Sequence, residues 1–324
     1  MGTRWSARYQ AAPGLDHDAL SRDLAQAVAM VDAQMSPWKP GSDLMRLNRA
    51  EQQQWVELPE AMLKVLTRAR DIGALSGGAF DAAVGGLVNA WGFGATVDTP
   101  DPVAIRLAAA KHYPAHLWLD VDLAQGRARK RAPLTLDLCG IAKGYAVDRM
   151  ARVMADHGVA HALLSLDGEL RACGGRADGR PWAVALESPQ DGRRAAHGVI
   201  DLADLAVATS GDYRHWVQAG SERLAHTMDG RQAAPVRNPL ASVTVLAATC
   251  MDADAWATAL LVAGPDEGPA LALRQGLDAL FLVRRVGRLV EFGVGRFALI
   301  QTADLQSKDR PSPASSCVAP SRMR

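Results

Sequence analysis

The sequence has 324 residues, 48% of them hydrophobic and 22% charged. A chain of that length and balance folds around its own core without a disulfide or metal staple, which argues against wholesale disorder. Lys and Arg total 36 against 35 Asp and Glu, a formal charge of +1, which argues against a protein built to hold nucleic acid and leaves room for a small anionic ligand.

Asp16 and Asp18 stand where a helix N-terminus favours carboxylates. Leu20, Leu24, Ala27, Val28, Val31 and Met35 then recur at helical spacing, which predicts a helix over 15–35. Pro37, Pro40 and Gly41 break it. Pro59 suits a first helical position, and Met62, Leu63, Leu66, Ala69 and Leu75 carry a second helix to Gly77 and Gly78. Residues 79–98 are small, apolar and rich in glycine, which is poor filling for a helix or strand. They suggest backbone approaching a ligand or another backbone. A short helix is expected at Val103–Lys111, and strands at 117–123 and 134–138. Lys143–Asp156 reads as a helix with Gly158 as a C-cap residue. Strands are expected at 162–166, 182–187, 198–201 and 242–247. Thr249–Val262 is a helix closed by Gly264 and Pro265, followed by a helix at 269–275 and strands at 279–284, 289–292 and 297–300. Several strands follow one another without an intervening helix, which favours α+β over a doubly wound parallel sheet. Residues 303–324 are rich in Ser, Pro and Arg without periodicity and read as a disordered tail, leaving 1–302 as a single large domain.

The cysteines, Cys139, Cys173, Cys250 and Cys317, have neither zinc-ligand nor redox spacing and read as unpaired thiols. No apolar run is long enough for a transmembrane segment, and Met1–Gln10 has no apolar signal-peptide core. The chain as written is therefore expected to be cytoplasmic.

Four segments could carry chemistry. On the helix at 249–262, Asp254 and Thr258 are four apart, so both oxygens project from one face. A carboxylate with a hydroxyl is hard-oxygen ligation suited to Mg²⁺. Thr249 with Asp252 also resembles a capping box, and carboxylates stabilise a helix start without any metal. In LDLCGIAKGYAVD, residues 136–148, Asp137 lies on a strand, Gly140 permits an unusual backbone and a helix begins near Lys143. Such a junction presents N–H groups to anions, with a lysine of the right sign for phosphate. Taken alone, the segment reads first as an ordinary tight strand-to-helix turn with a solvated lysine. In the loop HTMDGRQAAPV, residues 226–236, His226 could act as a general base or serve as a surface hydrogen-bonding residue. No G-x-S-x-G elbow surrounds Ser210, which disfavours a serine hydrolase. Trp38 sits in a Pro-bounded turn, where its ring could stack on a planar ligand or cover the edge of the core.

Taken together, these segments resemble the FAD:protein FMN transferases, a family formerly linked to thiamine biosynthesis. The likeness runs through MGTRW, the Trp38 turn, GGAFDAAVGGLVNAWGFG, DLCGIAKGYAVDRMA, ATSGDYRHWV and HTMD…PV…LASVTVLAATCMDADAWATAL, in the family's order. It implies a T-fold-like arrangement of mixed and antiparallel sheets with packed helices. It also implies an enzyme that binds FAD with Mg²⁺ and moves FMN onto a threonine hydroxyl of an acceptor flavoprotein, leaving AMP. By resemblance, Met1, Trp38, Ala79, Phe80, Asp81, Asp137, Lys143 and Met228 are FAD contacts. Gly140 through its carbonyl, Asp254 and Thr258 are metal ligands, and His226 activates the incoming hydroxyl.

The sequence departs from the family pattern at Cys139, where Ser is usual, and at Asp167, where Gly-Gly is common. Gln232 and Ala233 replace a common Thr-Gly, and Ala257 replaces a carboxylate that some members carry. Many members are exported lipoproteins, so an export segment and a periplasmic location are expected if the true start lies upstream. Two other functions share the same residues: an FAD pyrophosphatase giving FMN and AMP, and a non-catalytic FAD-binding protein.

Overall fold

The structure is a computed structural model that describes residues 3–11, 13–94, 99–189, 195–213, 216–219, 222–286 and 288–298. Met1, part of the glycine-rich 79–98 segment and the whole expected tail lie outside these described residues. The chain begins with strand β1 (Trp5–Tyr9), helices α1 (His17–Met35) and α2 (Asp43–Arg49), strand β2 (Val56–Glu57) and helix α3 (Glu60–Leu75). Helices α4 (Gly85–Ala90), α5 (Pro102–Ala110) and α6 (Ala115–Trp118) follow, then β3 (Leu119–Asp122), β4 (Arg127–Lys130) and α7 (Ala142–Asp156). Strands dominate next: β5 (Ala162–Leu166), β6 (Glu169–Cys173), β7 (Trp182–Glu187), β8 (Ala196–Leu202) and β9 (Ala206–Gly211). After them come β10 (Trp216–Ala219), β11 (Glu222–Ala225), β12 (Met228–Asp229), β13 (Ala234–Pro235) and β14 (Leu240–Ala247). Helix α8 (Cys250–Arg274), strands β15 (Asp278–Arg285) and β16 (Arg288–Val294) and a 3₁₀ turn at Gly295–Phe297 close the described chain.

One sheet organises these elements. Its strand order is β1-β5-β6-β9-β14-β15-β16, and every neighbouring pair is antiparallel. Side chains alternate between its faces, as pleating requires. In β15, Ala279, Phe281 and Val283 enter the core on the helix side. Leu280 and Leu282 join a smaller cluster with Val184, Leu186 and Leu202 of the β7–β8 hairpin. Because both faces are covered, β14 (LASVTVLA) is buried almost from end to end rather than at alternate residues. The fold is α+β, with antiparallel sheets and packed helices, as the order of predicted strands implied.

Helices α7 and α8 meet where the sheet's helix side is thickest. A Cβ on Gly144 would lie 2.2 Å from the carbonyl oxygen of Cys250, so the start of α7 rests directly on the start of α8. Asp148, one helical turn further along α7, completes the junction. Its carboxylate accepts from Cys250 N and Met251 N, each at 2.9 Å, and from the Arg171 guanidinium of β6. Those two N–H groups are among the donors that a helix start leaves unpaired. Thr249 caps another, its Oγ1 accepting from Asp252 N at 3.2 Å.

Several expectations are corrected. Residues 134–138 are not a strand of a sheet. They run extended between Asn48, whose side chain both donates to Leu136 O and accepts from Leu136 N, and the 82–85 segment, with a single bridge at Val84 and Thr135. The 117–123 strand is divided, because α6 takes its first residues and β3 only Leu119–Asp122. The glycine-rich stretch does hold a helix, α4, yet Gly85 also makes the expected close approach, since a Cβ there would stand 2.8 Å from Thr135 O. The expected close of the 249–262 helix at Gly264 and Pro265 stands, because Gly264 takes a non-helical backbone with a left-handed φ of 81°, and α8 is two helices meeting there, the second starting sooner than the expected 269. The last expected strand is instead the 3₁₀ turn, and residues 299 and 300 lie outside the described residues. No helix among the described residues is long and apolar enough to cross a membrane.

Replacing Asp148 with Ala leaves the first N–H groups of α8 and the Arg171 guanidinium unpaired. Stability should fall by about 1–3 kcal/mol, the usual cost of a buried donor left unsatisfied. Urea unfolding checks this, and an unchanged midpoint would show that the cap contributes nothing.

Candidate active site

The first turns of α8 carry Asp254 and Thr258 on one face, as their spacing predicts. Asp254 is buried to 3% exposure. Its Oδ2 accepts from Gly144 N at 3.0 Å, the one donor its carboxylate has among the described residues. Burial first, and the Glu169 charge second, push its carboxyl up to about 7, against the pull of the Lys143 ammonium and the Gly144 N–H. An anion there is under-compensated. Thr258 Oγ1 lies 3.1 Å from Ser210 Oγ at the end of β9, so the sheet delivers a second hydroxyl to the same place.

The 137–143 junction faces this helix. Asp137 Oδ1 accepts from Cys139 N at 2.7 Å, which curls the chain into the turn before α7. A Cβ on Gly140 would lie 3.2 Å from Thr258 Oγ1 and 3.4 Å from Phe80 Cε2, so the backbone of Gly140 passes directly beside both. Lys143, in the first turn of α7, bonds through Nζ to Glu169 Oε1 at 2.5 Å. Burial alone would push its ammonium down, but the Glu169 and Asp254 carboxylates overcome that and hold it above the ordinary value.

A second group forms around Asp81. Ala79, Phe80 and Asp81 are all buried. The Asp81 carboxylate is fully engaged: Oδ1 accepts from Ala83 N and Ala115 N, each at 2.9 Å, and Oδ2 pairs with His112 Nε2 at 2.9 Å. The hairpin of β12 and β13 packs on it, because a Cβ on Gly230 would stand 2.8 Å from both Asp81 Oδ2 and His112 Nε2. That hairpin carries buried Met228, and His226 just before it lies edge-on to Phe93 with ring centroids 6.4 Å apart.

Phe80, Gly140, Lys143, Asp254 and Thr258 are thus brought together by direct contacts or shared charge, and Asp81 is joined to the Met228 turn. Trp38 lies in the turn after α1, 55% exposed, with its backbone N–H bonded to Ser36 Oγ. Met1 lies outside the described residues. Sequence reasoning missed Glu169, His112, Asp148 and Asn48. Only Glu169 had a usable signal: Asp167-Gly168 directly after the apolar run at 162–166 marks a hairpin turn, and Glu169 is the first residue after it.

The donor set suits a hard divalent cation. Among the described residues no three His, Cys, Asp or Glu side chains converge as a metal cluster. What converges is one buried carboxylate short of donors, a hydroxyl one turn along and a backbone passing within contact of it. Mg²⁺ uses few protein oxygens of this kind and fills its shell with water and phosphate.

Comparison with known proteins identifies the family. The model of the ApbE family matches residues 1–281. The FAD:protein FMN transferase of Escherichia coli strain K12 is 36% identical over 294 residues, covering 89% of this chain and 83% of the relative. The protein of the same name from Klebsiella pneumoniae is 35% identical over 288 residues, covering 88% and 82%. The solved structure of the flavin transferase ApbE from Vibrio cholerae superposes with a TM-score of 0.82 at 32% identity, covering 92% of this chain and 95% of that one. The apo flavinyl transferase ApbE of Pseudomonas stutzeri gives 0.82 at 31%, covering 92% and 94%.

One departure from the family pattern has a physical consequence. Ala233, where Gly is common, takes a φ of 52°. A side chain in that left-handed region costs about 1–2 kcal/mol. Ala233→Gly should therefore stabilise the chain, by about 0.5–1 kcal/mol after the extra chain entropy of glycine is subtracted. Thermal melting checks it, and a lowered melting temperature would refute the strain.

Proposed function

Because the chain belongs to the ApbE family, we propose that it is an FAD:protein FMN transferase, an enzyme that moves the FMN part of FAD onto an acceptor protein. The observation that carries this reading is the meeting of Asp254 and Thr258 on α8 with the Gly140 backbone and the Lys143 ammonium. The acceptor group is a threonine hydroxyl. Its oxygen bonds to the phosphorus of the FMN phosphate, the bond from that phosphorus to the bridging oxygen breaks, and AMP leaves with that oxygen.

The chain's own residues divide this work. Asp254, the Thr258 hydroxyl and the Gly140 carbonyl hold the metal, which we assign as Mg²⁺. When bound, Mg²⁺ supplies positive charge that offsets repulsion between the phosphates and the incoming oxygen. Lys143 brings a compact positive charge to the diphosphate. Asp137 shapes the turn that presents the α7 N-terminus to the same anion. Ala79, Phe80 and Met228 form a buried wall for FAD, and Asp81 sets its shape by clamping Ala83, Ala115 and His112. The exposed ring of Trp38 stacks on a planar ring of the dinucleotide. His226 takes the hydroxyl proton, a contribution on the order of 10²–10⁴ in rate.

The reading is tested by incubating the protein with FAD, Mg²⁺ and a candidate acceptor, and looking for flavin fluorescence on the denatured acceptor in a gel. A labelled acceptor is expected. Free FMN without label would mean that water is the acceptor, and intact FAD would mean a carrier. Asp254→Ala should abolish labelling, and labelling at a near-normal rate would refute its role as a ligand. His226→Ala should lower kcat by about 10²-fold or more with little change in FAD affinity. A changed Kd with an unchanged kcat would make His226 a binding residue.

A further inference from the structure

Glu169 was not among the residues the sequence singled out, and its surroundings are unusual. It is the first residue of β6, directly after the turn at Asp167 and Gly168, and is only 3% exposed. Oε1 accepts from Lys143 Nζ at 2.5 Å, while Oε2 is sealed from solvent and has no hydrogen-bond partner. A buried ion pair with one oxygen unsatisfied returns little or nothing in stability, since desolvation offsets the attraction. Such a group calls for a reason other than packing.

The neighbouring charges supply one. The Lys143 ammonium lies in the field of three carboxylates, Glu169, Asp254 and Asp167, yet its ion pair is with Glu169. Asp254 keeps the Gly144 N–H as its one donor among the described residues. With Glu169 ionised, Lys143, Glu169 and Asp254 sum to one negative charge, and a divalent cation is attracted. With Glu169 neutral they sum to zero, and the flexible ammonium is left to the Asp167 and Asp254 carboxylates, the second of which the cation needs.

We propose that Glu169 is a positioning residue: by taking the Lys143 ammonium it leaves the Asp254 carboxylate to the divalent cation. This rests on the reading of Asp254 as a metal ligand. Glu169 acts through Lys143, the donor it holds among the described residues, and so sets which charge meets Asp254.

The test uses Mn²⁺ as the probe, titrated by electron paramagnetic resonance without FAD, so that binding is read apart from turnover. Glu169→Gln should raise the Mn²⁺ Kd about 10–100-fold, the usual effect of losing an outer partner of a metal site. Adding Lys143→Met to Glu169→Gln removes the competing ammonium and should restore most of the lost affinity. Wild-type affinity in Glu169→Gln, or a double variant no tighter than the single one, would overturn the proposal. Lys143→Met alone needs no change at Glu169, and so remains informative if the Gln variant does not fold. It should bind Mn²⁺ at least as tightly as the wild type, and weaker binding overturns the idea equally. Asp254→Ala separates the two levels. If it binds Mn²⁺ as the wild type does, the reading of the metal site fails. If it loses binding while Glu169→Gln keeps it, only the role of Glu169 fails.

Discussion

A carboxylate buried to 3% exposure with a single N–H donor is a poor bargain for a fold, and Asp254 is held in that state by the way α7 and α8 are locked together. The lock has three parts. Gly144 has no side chain, so the two helices close to backbone contact. The Gly144 N–H is thereby aimed at Asp254, and Asp148 ties the first N–H groups of α8 to the same stretch of α7. A longer residue at 144 or a missing cap at 148 would let the helices part and water reach Asp254. The sequence KGYAVD is therefore a device for packing one helix on another.

The same lock explains why the central sheet matters for the site. Arg171 of β6 joins the Asp148 carboxylate, Ser210 of β9 reaches Thr258, and Glu169 at the start of β6 holds Lys143. Neighbouring strands thus each place a polar group against the helix layer, at the point where the sheet's apolar side chains give way. Rigid strands position such groups more closely than loops do. The hairpin bearing Met228 and Asp229 is fixed differently, through Gly230 against Asp81 and through Arg231, which bonds both Asp229 and Glu267.

Much of this was legible in the residues. The 3.6 period found α1, α3, α7 and the first half of α8, and it placed Asp254 and Thr258 together because four residues is about one turn. The strands β5, β7, β14 and β15 announced themselves as apolar runs. What escaped was short or depended on partners far away in the chain. Strand β6, ELRAC, carries two charges because Glu169 and Arg171 both bond α7 residues, so its pattern is polar where its strand position is not. Residues 134–138 look like a strand in composition but spend their hydrogen bonds on the Asn48 side chain and the 82–85 backbone. Helix α4 was hidden by its glycines, which serve a close contact with Thr135 rather than a loop. The Asp-Gly at 167–168 departs from a Gly-Gly pattern without structural cost. Both positions take positive φ, 58° and 129°, and Asp tolerates the left-handed region far better than most residues.

The carboxylates also show how burial and donor count together separate structural acids from acids poised for a ligand. Asp81 accepts from two backbone N–H groups and a histidine, and Asp148 from two backbone N–H groups and an arginine. Their charges are spent inside the fold, and neither has anything left to offer a cation. Asp254 and Glu169 are as deeply buried but have one donor each among the described residues. Family resemblance made Asp81 an FAD contact and Asp254 a metal ligand. The hydrogen bonds distinguish them: Asp81 shapes a wall, while Asp254 holds an unspent charge beside the hydroxyl of Thr258 and the ammonium of Lys143. The two kinds of acid divide the work of a fold, because an acid with its donors in place keeps the walls still while one short of donors leaves a charge to be neutralised from outside.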